Sequence, residues 1–164
     1  MLLVSKSDFQ VFKKDEVYHI SGRINEHANF SEIRPEGSTL KLNLKQVENI
    51  DSIGTRAWIQ FCDKVNVDDI EYHEVSIIFM NAIAMLPALL KPKPALGKVK
   101  SFFLPFNCMN CGQESKILSN FSEIEVKGYD AFAPLKHCPE CGNAATLIEE
   151  DSEFLHLFIE VANG

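Results

Sequence analysis

The sequence predicts an α/β fold: a mixed sheet with helices on one face over residues 1–95, and a small cysteine-stapled module over residues 100–164. Three observations carry this. Leu40, Leu42 and Leu44 alternate with Lys41 and Asn43, the period-two pattern of a strand with one buried face. Ala57, Trp58, Phe61, Cys62 and Val65 then recur at helical spacing, with Arg56, Gln60, Asp63 and Lys64 on the wet side. Four of the five cysteines form two Cys-x-x-Cys-Gly units, both in the second part.

Taken in order, Phe9 and Val11 share one face of a short strand. Asp15-Glu16 make a turn, and Val17–Gly22 returns with Tyr18 and Ile20 on one face, completing a hairpin. Glu26–Ile33 reads as a short helix or turn, and Pro35-Glu36-Gly37 as a turn. Thr39–Leu44 is the strand already described, followed by a tight polar loop at Asn49–Ser52 and the helix to Val65. Ser52 or Asp51 supplies the side-chain oxygen for the first-turn amides of that helix.

Val67–Glu71 reads as a polar acidic connection. Val75–Met80 is apolar on both faces, the expectation for a central strand. Asn81 is placed to cap a further helix with Ile83, Leu86, Leu89 and Leu90, limited by Pro87. Strands thus alternate with helices after an initial hairpin, which gives the mixed sheet. Lys91–Lys100, with two prolines, a glycine and four lysines, reads as a linker. Ser101–Asn107 is an apolar strand, and Phe121, Ile124 and Val126 belong to ribbon strands. Ser152–Val161 has both a strand-like and a helix-like apolar pattern. Ser152 as a cap and Asn163-Gly164 as a stop favour the helix.

Composition bounds the function. With 46% hydrophobic and 24% charged residues the chain reads as a soluble globular protein. No apolar run is long enough for a membrane span. The opening MLLVSKSDFQ is too short and polar for a signal peptide, and paired Cys-x-x-Cys units suit a reducing compartment, so the expected location is the cytoplasm. The net charge of −7 arises entirely in residues 101–164, which hold 3 Lys against 10 Asp and Glu, while residues 1–100 balance at 13 each. That partition opposes a nucleic-acid surface, which attracts phosphate with excess Lys and Arg.

In the two units, Cys108-Met109-Asn110-Cys111-Gly112 and Cys138-Pro139-Glu140-Cys141-Gly142, 26 residues separate Cys111 from Cys138. Thiolates at i and i+3 reach one metal ion, and two such knuckles complete a tetrahedral site. A small module with few apolar residues gains folding energy from such a staple. Zn2+ in a closed structural site is the expected ion, held by Cys108, Cys111, Cys138 and Cys141. The knuckles also resemble those of rubredoxin, an iron electron carrier, but Gln113 and Glu114 follow Gly112 without the aromatic residues that wall the iron there. Cys62 lies on the helix stripe as a core residue, and His137 adjoins a knuckle that already has its sulfurs. The other histidines are scattered, and no paired acid and base, nucleophile elbow or phosphate loop is present, so no enzymatic activity is expected.

The segment LKLNLKQVENIDSIGTRAWIQF resembles the strand-loop-helix of STAS domains, the fold of bacterial anti-sigma factor antagonists. The matching pattern is a run of alternating aliphatics, then Asp51-Ser52-Ile53-Gly54 against the family's Asp-Ser-Ser-Gly, then an apolar helix. VYHISGRINEH and VSIIFM keep the family's order of elements, and the likeness spans roughly residues 5–95. The resemblance implies a non-catalytic, cytoplasmic signalling module in bacteria whose tip, Asp51 to Thr55, docks a protein partner such as a kinase-like anti-sigma factor. In that family, phosphorylation of the serine before the glycine breaks the complex. Here that position is Ile53, which takes no phosphate. Either the switch has moved to Ser52 or Thr55, or the tip is a constitutive contact, and the second is the favoured reading. A rubredoxin-like iron redox protein and a zinc-ribbon nucleic-acid binder are the alternatives.

Overall fold

The computed structural model describes residues 9–90 and 98–163, with side chains to residue 159. The opening segment, most of the expected linker (residues 91–97) and Gly164 lie outside the described residues. The first sheet holds β1 (Gln10–Lys14), β2 (Val17–Ile24), β3 (Thr39–Ile50) and β4 (Asp69–His73), in that spatial order. The β1–β2 pair is antiparallel, whereas β2–β3 and β3–β4 are parallel, so the sheet is mixed as expected. Asp15 and Glu16 sit at φ 50° and 64°, the left-handed pair that a two-residue hairpin needs to match strand twist.

Alternation decides which face is covered. Tyr18, Ile20 and Ile24, then Leu40, Leu42 and Leu44, then Ile70 and Tyr72 are buried, while Lys41 and Lys45 remain exposed. Over the buried face lie α1 (Ser52–Lys64) and α2 (Ile77–Met85). Trp58 of α1 joins them: its ring centroid is 5.1 Å from that of Phe79 in α2 and 6.4 Å from that of Tyr72 in β4. Its indole N–H donates to the Leu89 carbonyl at 3.0 Å, so the buried donor is satisfied.

Several local expectations are corrected. The loop expected at Asn49–Ser52 shrinks to Asp51, because β3 runs on to Ile50. Val67–Glu71 is not simply a connection: from Asp69 it becomes β4, with Ile70 and Tyr72 buried between outward Asp69, Glu71 and His73. Val75–Met80 is not a strand. The apolar run enters α2, capped by the Ser76 hydroxyl, which accepts from the Phe79 amide at 3.3 Å. Asn81 therefore lies inside the helix and does not cap it, and after Leu86 the chain makes a 3-10 turn at Pro87–Leu89. Residues 26–33 form turns.

The second part builds an antiparallel sheet from β5 (Ser101–Cys108), β6 (Glu114–Asn120), β9 (Lys136–His137) and β10 (Ala144–Leu147), ordered β6-β5-β10-β9. Between them β7 (Glu125–Lys127) and β8 (Asp130–Phe132) pair as a hairpin. Phe121, expected in a strand, opens a 3-10 turn. The terminal segment is helical, with α3 (His156–Asn163) after a 3-10 turn at Glu153–Leu155. Ser152 does not cap it: the hydroxyl donates back to the Ile148 and Glu149 carbonyls. Phe154 and Phe158 close over Phe102 at centroid distances of 6.1 and 5.4 Å.

The sequence places a boundary near residues 95–100. Beyond it, the Lys100 amide donates to the Tyr72 carbonyl at 2.8 Å, and Val75 exchanges backbone bonds with Ser101 and Phe103 at 3.0 Å each. Buried side chains from both sheets, Tyr72, Val75, Phe79, Phe102 and Phe154 among them, form one continuous cluster.

Candidate metal centre

Each knuckle follows from its backbone. Cys108 is the last residue of β5, and two backbone bonds close the turn after it: the Gly112 amide donates to the Cys108 carbonyl at 2.8 Å, and the Cys108 amide to the Gln113 carbonyl at 3.0 Å. The second knuckle repeats this, from Gly142 to Cys138 at 2.9 Å and from Cys138 to Asn143 at 2.7 Å. Gly112 and Gly142 sit at φ 74° and 76°, which L side chains rarely adopt. The pairing of β10 with β5 sets Ala145 opposite Cys108 and so brings the knuckles together. Lys136 fastens β9 below the second knuckle, pairing with Glu123 at 2.8 Å and holding that carboxyl below its usual range.

The Sγ atoms of Cys108, Cys111, Cys138 and Cys141 all lie within 4.8 Å of one another. Cys108 and Cys141 are 3.4 Å apart, Cys111 and Cys138 3.7 Å. A tetrahedral ion with bonds of ~2.3 Å to sulfur needs edges of about 3.8 Å, so the donor set fits. The side-chain amide of Asn143, followed by its backbone amide and by Cys108, draws the Cys141 thiol down to about 6. The Gln113 backbone amide also pulls on Cys111, but desolvation and the three neighbouring sulfurs push it up to about 12. One thiolate opposes the next in so small a space, and a dication removes the conflict. The four sulfurs can hold a metal ion; their geometry alone does not choose which.

All four expected ligands are thus brought together. His137 is exposed in β9 and outside the cluster, and Cys62 is buried on α1. Two residues that act on the sulfurs were not singled out from the sequence: Asn110 and Asn143 both aim a side-chain amide at Cys141 Sγ, at 3.7 and 3.3 Å. The doubled Cys-Gly-Gln and Cys-Gly-Asn pattern signals Asn143, whereas the reach of Asn110 across to the other knuckle has no local signal.

The second candidate region is the tip between β3 and α1. The Asp51 carboxylate, not the Ser52 hydroxyl, caps the helix, accepting from the Gly54 amide at 2.7 Å. Gly54 is buried against β2, where an added Cβ would meet the Ile24 carbonyl oxygen at 1.7 Å. Ser52 is exposed, Thr55 half-buried, and Ile53 stands 57% exposed. Among the described residues, no helix is long and apolar enough to cross a membrane. No family model matches this sequence, and neither a curated protein nor a solved structure matches it.

Proposed function

We propose that this chain is a non-catalytic protein-interaction module, resembling an anti-sigma factor antagonist, with a structural Zn2+ in its four-cysteine site. The tip at Asp51–Thr55 is its docking surface, and it works without a phosphorylation switch at Ile53. One observation carries this reading. Asp51 caps the helix and Gly54 packs closely on β2, and together they hold Ile53, 57% exposed, on the first turn of α1 with its apolar side chain open to a partner. The mixed sheet feeding a strand into that helix is the arrangement the resemblance implies. A closed four-sulfur site with two buried ligands suits a structural ion more than a catalytic one, which keeps an open position.

The test is capture of partners from the source cell with wild-type and Ile53 variants. Ile53→Glu places a charge in a desolvated contact, with an expected loss of roughly 2–5 kcal/mol of binding. Ile53→Ser forfeits only apolar burial, roughly 1–2 kcal/mol. Circular dichroism should show both folded, since the side chain faces solvent. Undiminished binding by Ile53→Glu to every recovered partner would reduce the tip to a helix cap. Elemental analysis separates zinc from the iron of a rubredoxin-like carrier, which would also colour the protein red.

A further inference from the structure

The knuckles repeat one another in backbone but differ in the side chain after each glycine. Asn143, after Gly142, donates its amide to Cys141 Sγ at 3.3 Å, and Asn110 reaches across from the other knuckle to the same sulfur at 3.7 Å. Gln113, after Gly112, carries one more methylene; its amide turns away and donates to the Glu114 carbonyl at 3.0 Å. Among the described residues, no side-chain amide reaches Cys111 Sγ. Cys111 and Cys141 are exposed, while Cys108 and Cys138 are buried. Each of the two takes a backbone amide, from Gln113 at Cys111 and from Asn143 at Cys141, but only Cys141 takes side-chain amides as well.

We propose that Cys111 is the oxidant-sensitive sulfur of this site, where hydrogen peroxide attacks and from which the metal centre opens. The proposal rests on the zinc-loaded cluster proposed above. In that state all four sulfurs are held as thiolates, so proton affinity no longer ranks them. What differs is the charge each sulfur has given to N–H donors, and a hydrogen-bonded thiolate is the poorer nucleophile. The Cys111 thiolate attacks one peroxide oxygen and the O–O bond breaks. Sulfur is oxidised to the sulfenic acid and hydroxide leaves. The Cys138 thiolate, 3.7 Å away, then attacks that sulfur, forming the disulfide and expelling a second hydroxide. The two electrons lost by the sulfur pair reduce one peroxide. Two ligands are consumed, and the ion is released from the remaining two.

The experiment uses the full chain, with zinc content measured first. Substoichiometric hydrogen peroxide is added, zinc release is followed with a chromogenic chelator, and each cysteine is mapped by differential alkylation and peptide mass spectrometry. Cys111 is expected in the first oxidised population, with a Cys111–Cys138 disulfide formed per ion released. Asn143→Ala should raise Cys141 oxidation, and Gln113→Asn should slow that of Cys111, each by about fivefold, the rate equivalent of one hydrogen bond. Both positions are exposed, so folding is not at stake. A zinc-loaded chain whose Cys141 oxidises as fast as Cys111, or whose rates ignore both variants, overturns this proposal alone. A chain that purifies without metal overturns the metal reading and this proposal with it.

Discussion

Gly54 is where helix and sheet come closest. Its missing side chain lets the first turn of α1 settle against the end of β2, where the Asp51 amide donates to the Ile24 carbonyl at 3.2 Å. Both walls of that contact are backbone and cannot swing aside. Gly54→Ala is therefore expected to cost about 3 kcal/mol in urea unfolding. Gly37→Ala is the control: nothing lies within 4 Å of its added Cβ, and its change should stay within about 0.5 kcal/mol. Equal stability of the two variants would mean that α1 does not start where the contact places it. The residue scale also shows what a motif conceals. Asp51 was legible as a cap and Gly54 as the glycine of the resembling motif, but the close approach that demands the glycine involves Ile24, far away in sequence. The knuckle glycines are different, because their positive φ belongs to a local turn that the Cys-x-x-Cys-Gly spacing itself announces.

At the scale of elements, α2 and β4 are the instructive pair. VSIIFM is apolar apart from Ser76, so neither period shows in it, and a short run of this kind fits a buried strand or a buried helix equally. The deciding features are Ala82, Ala84 and Met85 downstream, which extend the segment in residues that favour helix, and Ser76 within the run, which supplies the cap. Asp69–His73 was obscured by its acidic neighbours, although Ile70 and Tyr72 carry the alternation of a strand. Replacing the cap tests the assignment. Ser76→Ala should lose about 1 kcal/mol in thermal or denaturant unfolding, as removal of a helix cap does. Asn81→Ala, mid-helix, should be neutral or stabilising by up to about 0.5 kcal/mol. The reverse order of effects would restore Asn81 as the cap.

For the whole molecule, the position of β5 matters most. Its end supplies Cys108 to the metal centre, and its start is bonded to Val75 and carries Phe102 into the core shared with Tyr72 and Phe79. A metal ion held by the four sulfurs at one end of that strand would therefore support packing at the other. Removing the ion with a chelator should raise amide exchange first at the knuckles, β9 and β10, and then lower the protection of β4 and α2 as well. Exchange of β4 and α2 that stays unchanged while β5 and β10 lose protection would show two independent units divided at the linker.

The four-cysteine cluster, the opening hairpin, β3 and α1 could be read directly from the chain, because each is governed by local spacing: two thiols at i and i+3, alternation on a half-buried strand, a stripe at helical period. Tertiary structure decided the rest. Val75–Met80 is apolar on its exposed side as well, with Ile78 45% exposed, so its period does not show; the Ser76 cap, the residues downstream and packing of Phe79 on Trp58 together make it a helix. The continuity of the core across the expected boundary depends on β5 lying beside the end of β4, a long-range pairing that no local pattern encodes. The Asn110 amide on Cys141 likewise depends on two knuckles meeting across 26 residues of chain. Short-range regularities follow from bond geometry and solvent exposure, whereas contacts between distant segments are settled only when the whole apolar surface is buried at once.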